Sequence, residues 1–582
     1  MNKLSLLRQK MLAKDIDAYV IYSGDAHQSE YVADYWQTRA WISGFTGSAA
    51  TVVVTANEAG LWTDGRYFIQ AEKELAGSGI SLFKMGEPDV PKYGEFLAEK
   101  LPKNGNLGFD GRVLSASAFE TLKSDLAHKE ISFHYNDDVA GSLWDDRPGL
   151  PTGKAFAHDI KFAGKTSAQK LAEVRAEMQK KRADVYIVAA LDDIAWLTNT
   201  RGTDVAKTPV TMSYLLITMD EAFLFIDDYK IAGVSLPDFN IQAYDSVLDY
   251  IGKYAAGKTL VYHDNAISVS LFEAIPKDAK AIKSPSIITA LKAIKNEVEI
   301  KNLRNAFTKD GVVMVKFFKW LSECDNLPDE VGIQKKLSEI RVEQKDCLGD
   351  GFNTIAAYGE NAALPHYSPK PGDCSQVKPV GLLLVDTGSQ YLDGTTDITR
   401  TVVMGDITDE MRRDFTLVLK AHIGFSMAKF AQGVAGCHID VIARQHMWAA
   451  GADYKHGTGH GIGFCLGVHE GPHNVGLNFN ETRLAPGMLI SNEPGLYKVG
   501  RHGVRTETIV LVKELEKTEF DTFLGFETLT LFPYDTRAVE MTMLTQDEKD
   551  YINDYHSRVY DTLSPHLSTD EIEWLKNATK AI

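Results

Sequence analysis

Cysteine is scarce in this 582-residue chain and absent from its first half: Cys324, Cys347, Cys374, Cys437 and Cys465 are all there are. No two of them form a C-x-x-C pair, which argues against a cysteine zinc site and favours free thiols in a reducing cytoplasm. No apolar run approaches the ~20 residues of a membrane helix, so no membrane is an expected partner. The opening segment MNKLSLLRQK has scattered charges and no apolar central block, unlike a secretion signal. Positive charge is in deficit: 62 Lys and Arg stand against 79 Asp and Glu, for a formal net charge of −17. Nucleic acid requires a basic surface and is not an expected partner either. With 44% hydrophobic and 24% charged residues the composition is that of a globular protein. The length implies two or three domains.

The first half repeats itself. LRQKMLAKDIDAYVI from Leu7 aligns with VRAEMQKKRADVYIV from Val174, so that Arg8, Met11, Lys14, Asp17 and Tyr19 match Arg175, Met178, Lys181, Asp184 and Tyr186. VVVTANEAGLWTD (from Val52) then echoes LLITMDEAFLFID (from Leu215), again two apolar runs about a turn. The period is far too long for a solenoid and reads as duplication of an α/β domain. A polar, proline-containing linker, Asp145 to Pro151, separates the copies, and a second boundary falls near Lys283 to Ser286. The expected domains are residues 1–151, 152–286 and 287–582. In the third, which is α+β in character, a long helix is predicted from about Ile287 through Val298, Leu303, Phe307 and Val313. Another is predicted after Thr408 as N-cap, with Met411, Phe415, Val418 and Ile423 on one face.

Chemistry concentrates in that third region. In VDTGSQYLDGTTDITRT an apolar strand ends at Asp386, a turn-rich stretch follows, and a threonine-rich strand begins near Asp397. As a hairpin this makes the two acids near neighbours across the ladder. Carboxylates at ~5 Å repel, so one must protonate or a cation must sit between them. The pattern recurs with Glu493, at the end of MLISN, and Glu507, within VRTETIV, with Gly500 and Gly503 expected to mark the turn. One such hairpin is readily a solvated turn. Two, each with its acid closing an apolar strand, place buried acids that need partners, and metal is the natural one.

HGTGHGIG supplies nitrogen. Its glycines oppose a helix, and as an extended segment residues 456, 458 and 460 point one way, so His456 and His460 could face one cavity. Four carboxylates and an imidazole suit manganese, cobalt, iron or zinc, and carboxylate bridging lets five side chains hold two ions. Such a pair lowers the pKa of a bridging water, giving hydroxide near neutral pH to attack a carbonyl.

These residues resemble the three-domain aminopeptidase P group (Xaa-Pro aminopeptidases) of the pita-bread metallopeptidases. The likeness runs from SGDAHQSEYVA and WTDGRYF to the C-terminal helix, and is most specific in DGTTDITRTV, HGTGHGIG, VHEGPH and NEPGLY in that order. It implies two duplicated creatinase-like α/β domains followed by a pita-bread catalytic domain. Residue by residue, it implies that Asp386 is the bidentate ligand of one ion, that His460 and Glu493 hold the other, and that Asp397 and Glu507 bridge. His366 and His469 resemble the histidines that bind substrate and steady the tetrahedral intermediate, His456 the lining of the proline pocket, and Glu493 a group handling protons. Arg66, in TDGRY, stands where the family's N-terminal domain reaches toward bound peptide; the alternative is a surface salt bridge. Two departures, Thr508 after Glu507 and Pro365 before His366, leave every ligand in place.

The resemblance thus implies a cytoplasmic, homodimeric hydrolase with two divalent ions per chain, manganese foremost, acting on peptides with proline second. A prolidase has a similar metal site, but the duplicated N-terminal half argues against it. Creatinase-like chemistry is weaker still, because that branch lacks the complete ligand set. A non-catalytic pita-bread peptide-binding protein is expected to have lost ligands, and none is missing here.

Overall fold

The computed structural model describes residues 2–582. The chain divides into two compact units, Met1–His158 with Lys165–Ile288, and Asp159–Gly164 with Thr289–Ile582.

The first unit contains both repeats, and each builds the same sheet. Ala18–Tyr22 (β1), Thr51–Thr55 (β2), Ala59–Thr63 (β3), Ser81–Lys84 (β4), Asn106–Phe109 (β5) and Ser132–His134 (β6) lie in the order β4-β3-β2-β1-β5-β6. Val185–Val188 (β7), Tyr214–Thr218 (β8), Ala222–Phe225 (β9), Asn240–Gln242 (β10), Thr259–Tyr262 (β11) and Lys280–Lys283 (β12) lie in the order β10-β9-β8-β7-β11-β12. In both sheets the central strand of the hairpin, β2 or β8, is antiparallel to its two neighbours, and all other pairs are parallel. The aligned polar residues do the same work in each copy. Arg8, on helix α1 (Lys3–Ala13), donates to Thr55 O at 2.9 Å, and Arg175, on α2 (Ser167–Lys180), donates to Thr218 O at 3.0 Å. Asp17 and Asp184 each accept from the first strand amide of a neighbour, Asn106 N and Thr259 N, at 2.8 Å. What is duplicated is therefore the pinning of helix to sheet as well as the apolar pattern.

In the second unit the first helix differs from the expected one. A short helix, Ile287–Ala293, ends before Lys295, and α3 (Glu297–Ser322) starts afresh. Asn296 causes the restart: its Oδ1 accepts from Val298 N and Glu299 N at 3.0 Å while Glu299 returns a bond to Asn296 N, a complete capping box. Val298 is consequently in the first turn and exposed, whereas Leu303, Phe307 and Val313 are buried. Next come α4 (Glu330–Arg341), α5 (Asp409–Ser426) and α6 (Gly436–Ala449). Thr408 caps α5 as expected, accepting from Met411 N at 3.2 Å, and Phe415, Val418 and Ile423 pack inward.

The strands here are antiparallel throughout. Ile355–Tyr358 (β13), Leu382–Thr387 (β14) and Ile398–Val403 (β15) form one sheet. A six-stranded sheet takes Phe430–Ala431 (β16), Gly459–Gly461 (β17), Glu470–Val475 (β18), Leu489–Asn492 (β19), Thr508–Lys517 (β22) and Thr522–Thr528 (β23) in the order β16-β23-β22-β19-β17-β18. Gly495–Lys498 (β20) and His502–Arg505 (β21) make a separate ribbon. Among the described residues no helix is long and apolar enough to cross a membrane.

One glycine reading changes. Gly500 makes the turn of the Glu493–Glu507 hairpin, with φ +71°, but Gly503 lies within β21, where a Cβ would stand 1.8 Å from Ala362 O. In HGTGHGIG the glycines admit neighbouring strands: a Cβ at Gly459 would stand 1.8 Å from Ser491 O, and one at Gly461 2.2 Å from Glu470 O. Gly459→Ala must therefore part β17 from β19, with an expected loss of about 1–3 kcal/mol in denaturant unfolding. An unchanged midpoint would contradict the packing.

Candidate metal centre

Both acid-bearing hairpins form, with different registers. In the first, Asp386 pairs with Thr399 and Thr387 with Ile398, which sets Asp397 diagonal to Asp386 rather than opposite it. The expectation of facing partners is corrected: Thr399 occupies the facing position, and its hydroxyl donates to Glu507 Oε2 at 2.7 Å. In the second hairpin Asn492 pairs with Thr508 and Gly495 with Arg505, so Glu493 and Glu507 stand directly across from one another. The hairpins meet where Glu507 N donates to Thr399 O at 3.0 Å.

Asp397, His460 and Glu507 each offer a donor atom within 4.8 Å of the others'. His460 Nε2 lies 3.5 Å from Glu493 Oε1 and 3.8 Å from Asp397 Oδ2. Its Nδ1 is 2.9 Å from Gly461 O, so the proton sits there and the Nε2 lone pair faces the acids. Asp386 Oδ1 and Asp397 Oδ1 are buried without a hydrogen-bond partner. Such orphaned oxygens are costly unless something absent from the protein itself meets them, and hard oxygen donors beside an imidazole fit divalent cations.

The electrostatics agree. At an effective dielectric near 20, two carboxylates ~5 Å apart repel by about 3 kcal/mol, so a few such pairs rival a whole domain's ~5–15 kcal/mol. Burial, then Glu507, Asp386 and Glu493, push Asp397 well above the carboxylate range. Burial, then Glu493 and Asp386, do the same to Glu507. Burial pushes Glu493 up to about 7, with Asp386 adding to it and Arg505 opposing. Without cations these acids keep protons.

The Arg505 guanidinium opposes them, a residue absent from the candidates that the sequence suggested. Its Nη2 donates to Asp386 Oδ2 at 2.5 Å and its Nη1 to Tyr497 Oη at 2.8 Å. Tyr497 lies 2.9 Å from His456 Nε2, so His456 reaches the acids through a relay of two side chains. Burial and Arg505 hold His456 down to about 3, a neutral imidazole. Arg505 was legible as a cation two residues before Glu507 on an apolar strand, on the same face. The expectation that residues 456, 458 and 460 share one direction fails. The regular strand covers only Gly459–Gly461, and Thr458 turns away to Asp440 Oδ1 at 2.5 Å. His469 is exposed, with its ring 4.3 Å from that of His460 at 89°. His366 is exposed on the loop after β13. Arg66 belongs to the first unit, where it clasps Asp64 through Nε at 2.7 Å and Nη2 at 2.8 Å, the ion pair weighed as its alternative.

Comparison with known proteins decides the family. Residues 301–514 match the model of metallopeptidase family M24, residues 522–582 that of its C-terminal region, and residues 3–134 and 146–299 each match a creatinase/prolidase N-terminal domain. Aminopeptidase P2 of Arabidopsis thaliana is 39% identical over 97% of this chain and 86% of its own. The chain belongs to metallopeptidase family M24. It is a hydrolase with two creatinase-like N-terminal domains and a pita-bread domain, as expected. A solved X-prolyl aminopeptidase of Caenorhabditis elegans, described as a cytosolic enzyme with a di-nuclear active site, matches with TM-score 0.94 and 33% identity over 100% of this chain and 99% of its own. An Xaa-Pro dipeptidase of Bacillus anthracis shares the fold with TM-score 0.51 at 24% identity, over 63% of this chain and 99% of its own.

The raised acids give the M24 centre a signed pH dependence. Stability from carboxylates whose folded pKa is raised is full below their unfolded values near 4, and is lost as pH rises through the folded values, about 7 for Glu493. Metal must displace those protons, so it offsets the loss increasingly. The Tm difference between metal-loaded and chelator-stripped chain is therefore expected to widen from about pH 5 to about pH 7. A difference independent of pH would contradict the coupled-acid account.

Proposed function

We propose that the chain is a metal-dependent Xaa-Pro aminopeptidase, releasing the first residue from peptides with proline second. The observation that carries this reading is the full-length likeness to an X-prolyl aminopeptidase, joined to a site whose acids leave two buried oxygens orphaned. Asp386 would hold one ion and His460 and Glu493 the other, with Asp397 and Glu507 shared between them. Manganese is the proposed metal, the cytoplasm the proposed compartment and a homodimer the proposed state. Bound there, two divalent ions would supply a water acidic enough to ionise near neutral pH and a charge to polarise the substrate carbonyl.

The chain's own groups then divide the work. Glu493, with its Oε1 3.5 Å from His460 Nε2 at the metal centre, is placed to take a proton from the attacking water and return it to the leaving nitrogen. His469, edge-on to the His460 ring, and His366 donate to the oxyanion and position the substrate. Neutral His456, with Tyr497 behind it, forms the wall against which a proline ring packs. Arg505 holds Asp386 in place without competing for its second oxygen.

A dipeptidase is the second reading. The dipeptidase structure leaves over a third of this chain unmatched, so the complete duplicated half favours longer peptides. The test is to strip the purified chain with chelator, restore manganese, and assay Arg-Pro-Pro peptides beside Xaa-Pro dipeptides and non-proline controls. Metal-dependent release of arginine from Arg-Pro-Pro is expected. No such release would overturn the reading, and cleavage confined to dipeptides would move it to prolidase. Asp397→Ala is expected to lower kcat/KM about a thousandfold or more, a loss of several kcal/mol. Full activity would refute the bridging role.

A further inference from the structure

Glu330, the first residue of α4, is fully buried, with none of its surface exposed. Its Oε1 accepts from Tyr358 N at 2.7 Å and Asn361 Nδ2 at 2.9 Å, and its Oε2 from Tyr367 Oη and Ser375 N, each at 2.7 Å. The Glu330 amide completes the clasp by donating to Ser375 O at 3.1 Å. All these donors are neutral. A buried carboxylate without a cation is expensive, and two things offset the cost here: four close donors, and the positive end of the helix on which it sits.

The partners share one property. Tyr358, Asn361, Tyr367 and Ser375 bracket or lie on a single loop, residues 359–375, and His366 is the neighbour of Tyr367. On the other flank, Pro365 O accepts from Arg505 Nη2 at 3.4 Å, the same nitrogen that holds Asp386. Ala362 is pressed against β21, leaving no room for a Cβ at Gly503. The exposed imidazole of His366 thus projects from a segment fixed on one side by Glu330 and on the other by the metal-centre arginine.

We infer that Glu330 is a positioning residue that sets the His366 loop for catalysis, an inference resting on the role proposed above for His366. A Gln at this site keeps the shape but turns one acceptor into an NH2 facing two donors, so the clasp must open on one side. Displacement of a reacting group by ~1 Å costs up to about a hundredfold in rate.

The experiment uses the manganese-loaded full chain as wild type, Glu330→Gln, His366→Ala and the double variant. It measures kcat/KM on Arg-Pro-Pro, bound metal, and hydrogen exchange of residues 359–375. Glu330→Gln is expected to keep its metal, lose about ten- to hundredfold in kcat/KM, and exchange faster in that loop alone. The double variant is expected to match His366→Ala within about twofold, because both changes remove one function. Multiplicative losses, or wild-type turnover in Glu330→Gln, would overturn the inference. Should Glu330→Gln fold poorly, Tyr367→Phe removes a single donor at constant shape and is expected to show a smaller loss, equally absent when His366 is alanine. Unchanged loop exchange in both variants overturns the inference by itself. Failure of the wild-type chain to cleave the peptide would sink the functional reading and leave the exchange result to decide the loop.

Discussion

Four carboxylates, Asp386, Asp397, Glu493 and Glu507, are gathered into one largely buried space with the Arg505 guanidinium set against them. That repulsion is the constraint to which the rest of the catalytic unit answers. A pair ~5 Å apart costs about 3 kcal/mol when both acids are ionised, so the fold holds them close only as protonated acids or around cations. Asp397 and Glu507, both pushed well above the carboxylate range, retain protons in the metal-free chain, which makes loading a proton-for-metal exchange.

Holding such groups in place requires backbone that cannot relax, and much of it comes from the C-terminal region. Arg400, fully buried, donates to Thr399 O at 3.0 Å and Glu507 O at 2.6 Å, and also to Phe532 O at 2.5 Å and Pro533 O at 3.1 Å. It binds the two acid hairpins to the segment that follows β23. His422, held neutral by burial and by Arg400, bridges Asn492 O and Tyr534 Oη just before Glu493. Glu470, beside His469, is buried between Lys292 and Lys295, with the Lys292 contact at 2.9 Å. The scaffold uses buried ion pairs and carbonyl-capped cations where a plain apolar core would leave the strands free to separate.

Much of this was legible before any coordinates. Acids closing apolar strands, with glycines and threonines between, announced paired hairpins, and the Arg8/Arg175 and Asp17/Asp184 matches announced a duplicated domain whose strand order repeats in full. The misses share a cause. Which residue faces Asp386 depends on hairpin register, which the turn between the strands decides and the spacing of the acids does not. The break before Glu297 depends on Asn296 and Glu299 reciprocally capping, a local competition that an apolar period does not register. Tyr497 stands in the NEPGLY motif, but its contacts with Arg505 and His456, like those of Glu330 with the 359–375 segment, join residues far apart in the chain that local spacing does not pair.

The central claim is that cations in pairs make this arrangement of acids stable in its working, ionised form. Metal content per chain, measured by plasma mass spectrometry after manganese loading and exhaustive buffer exchange near neutral pH, tests it most directly. The account expects two ions per wild-type chain and fewer in Asp397→Ala. A fully folded, active chain carrying no ion, or the same content in both proteins, would contradict it.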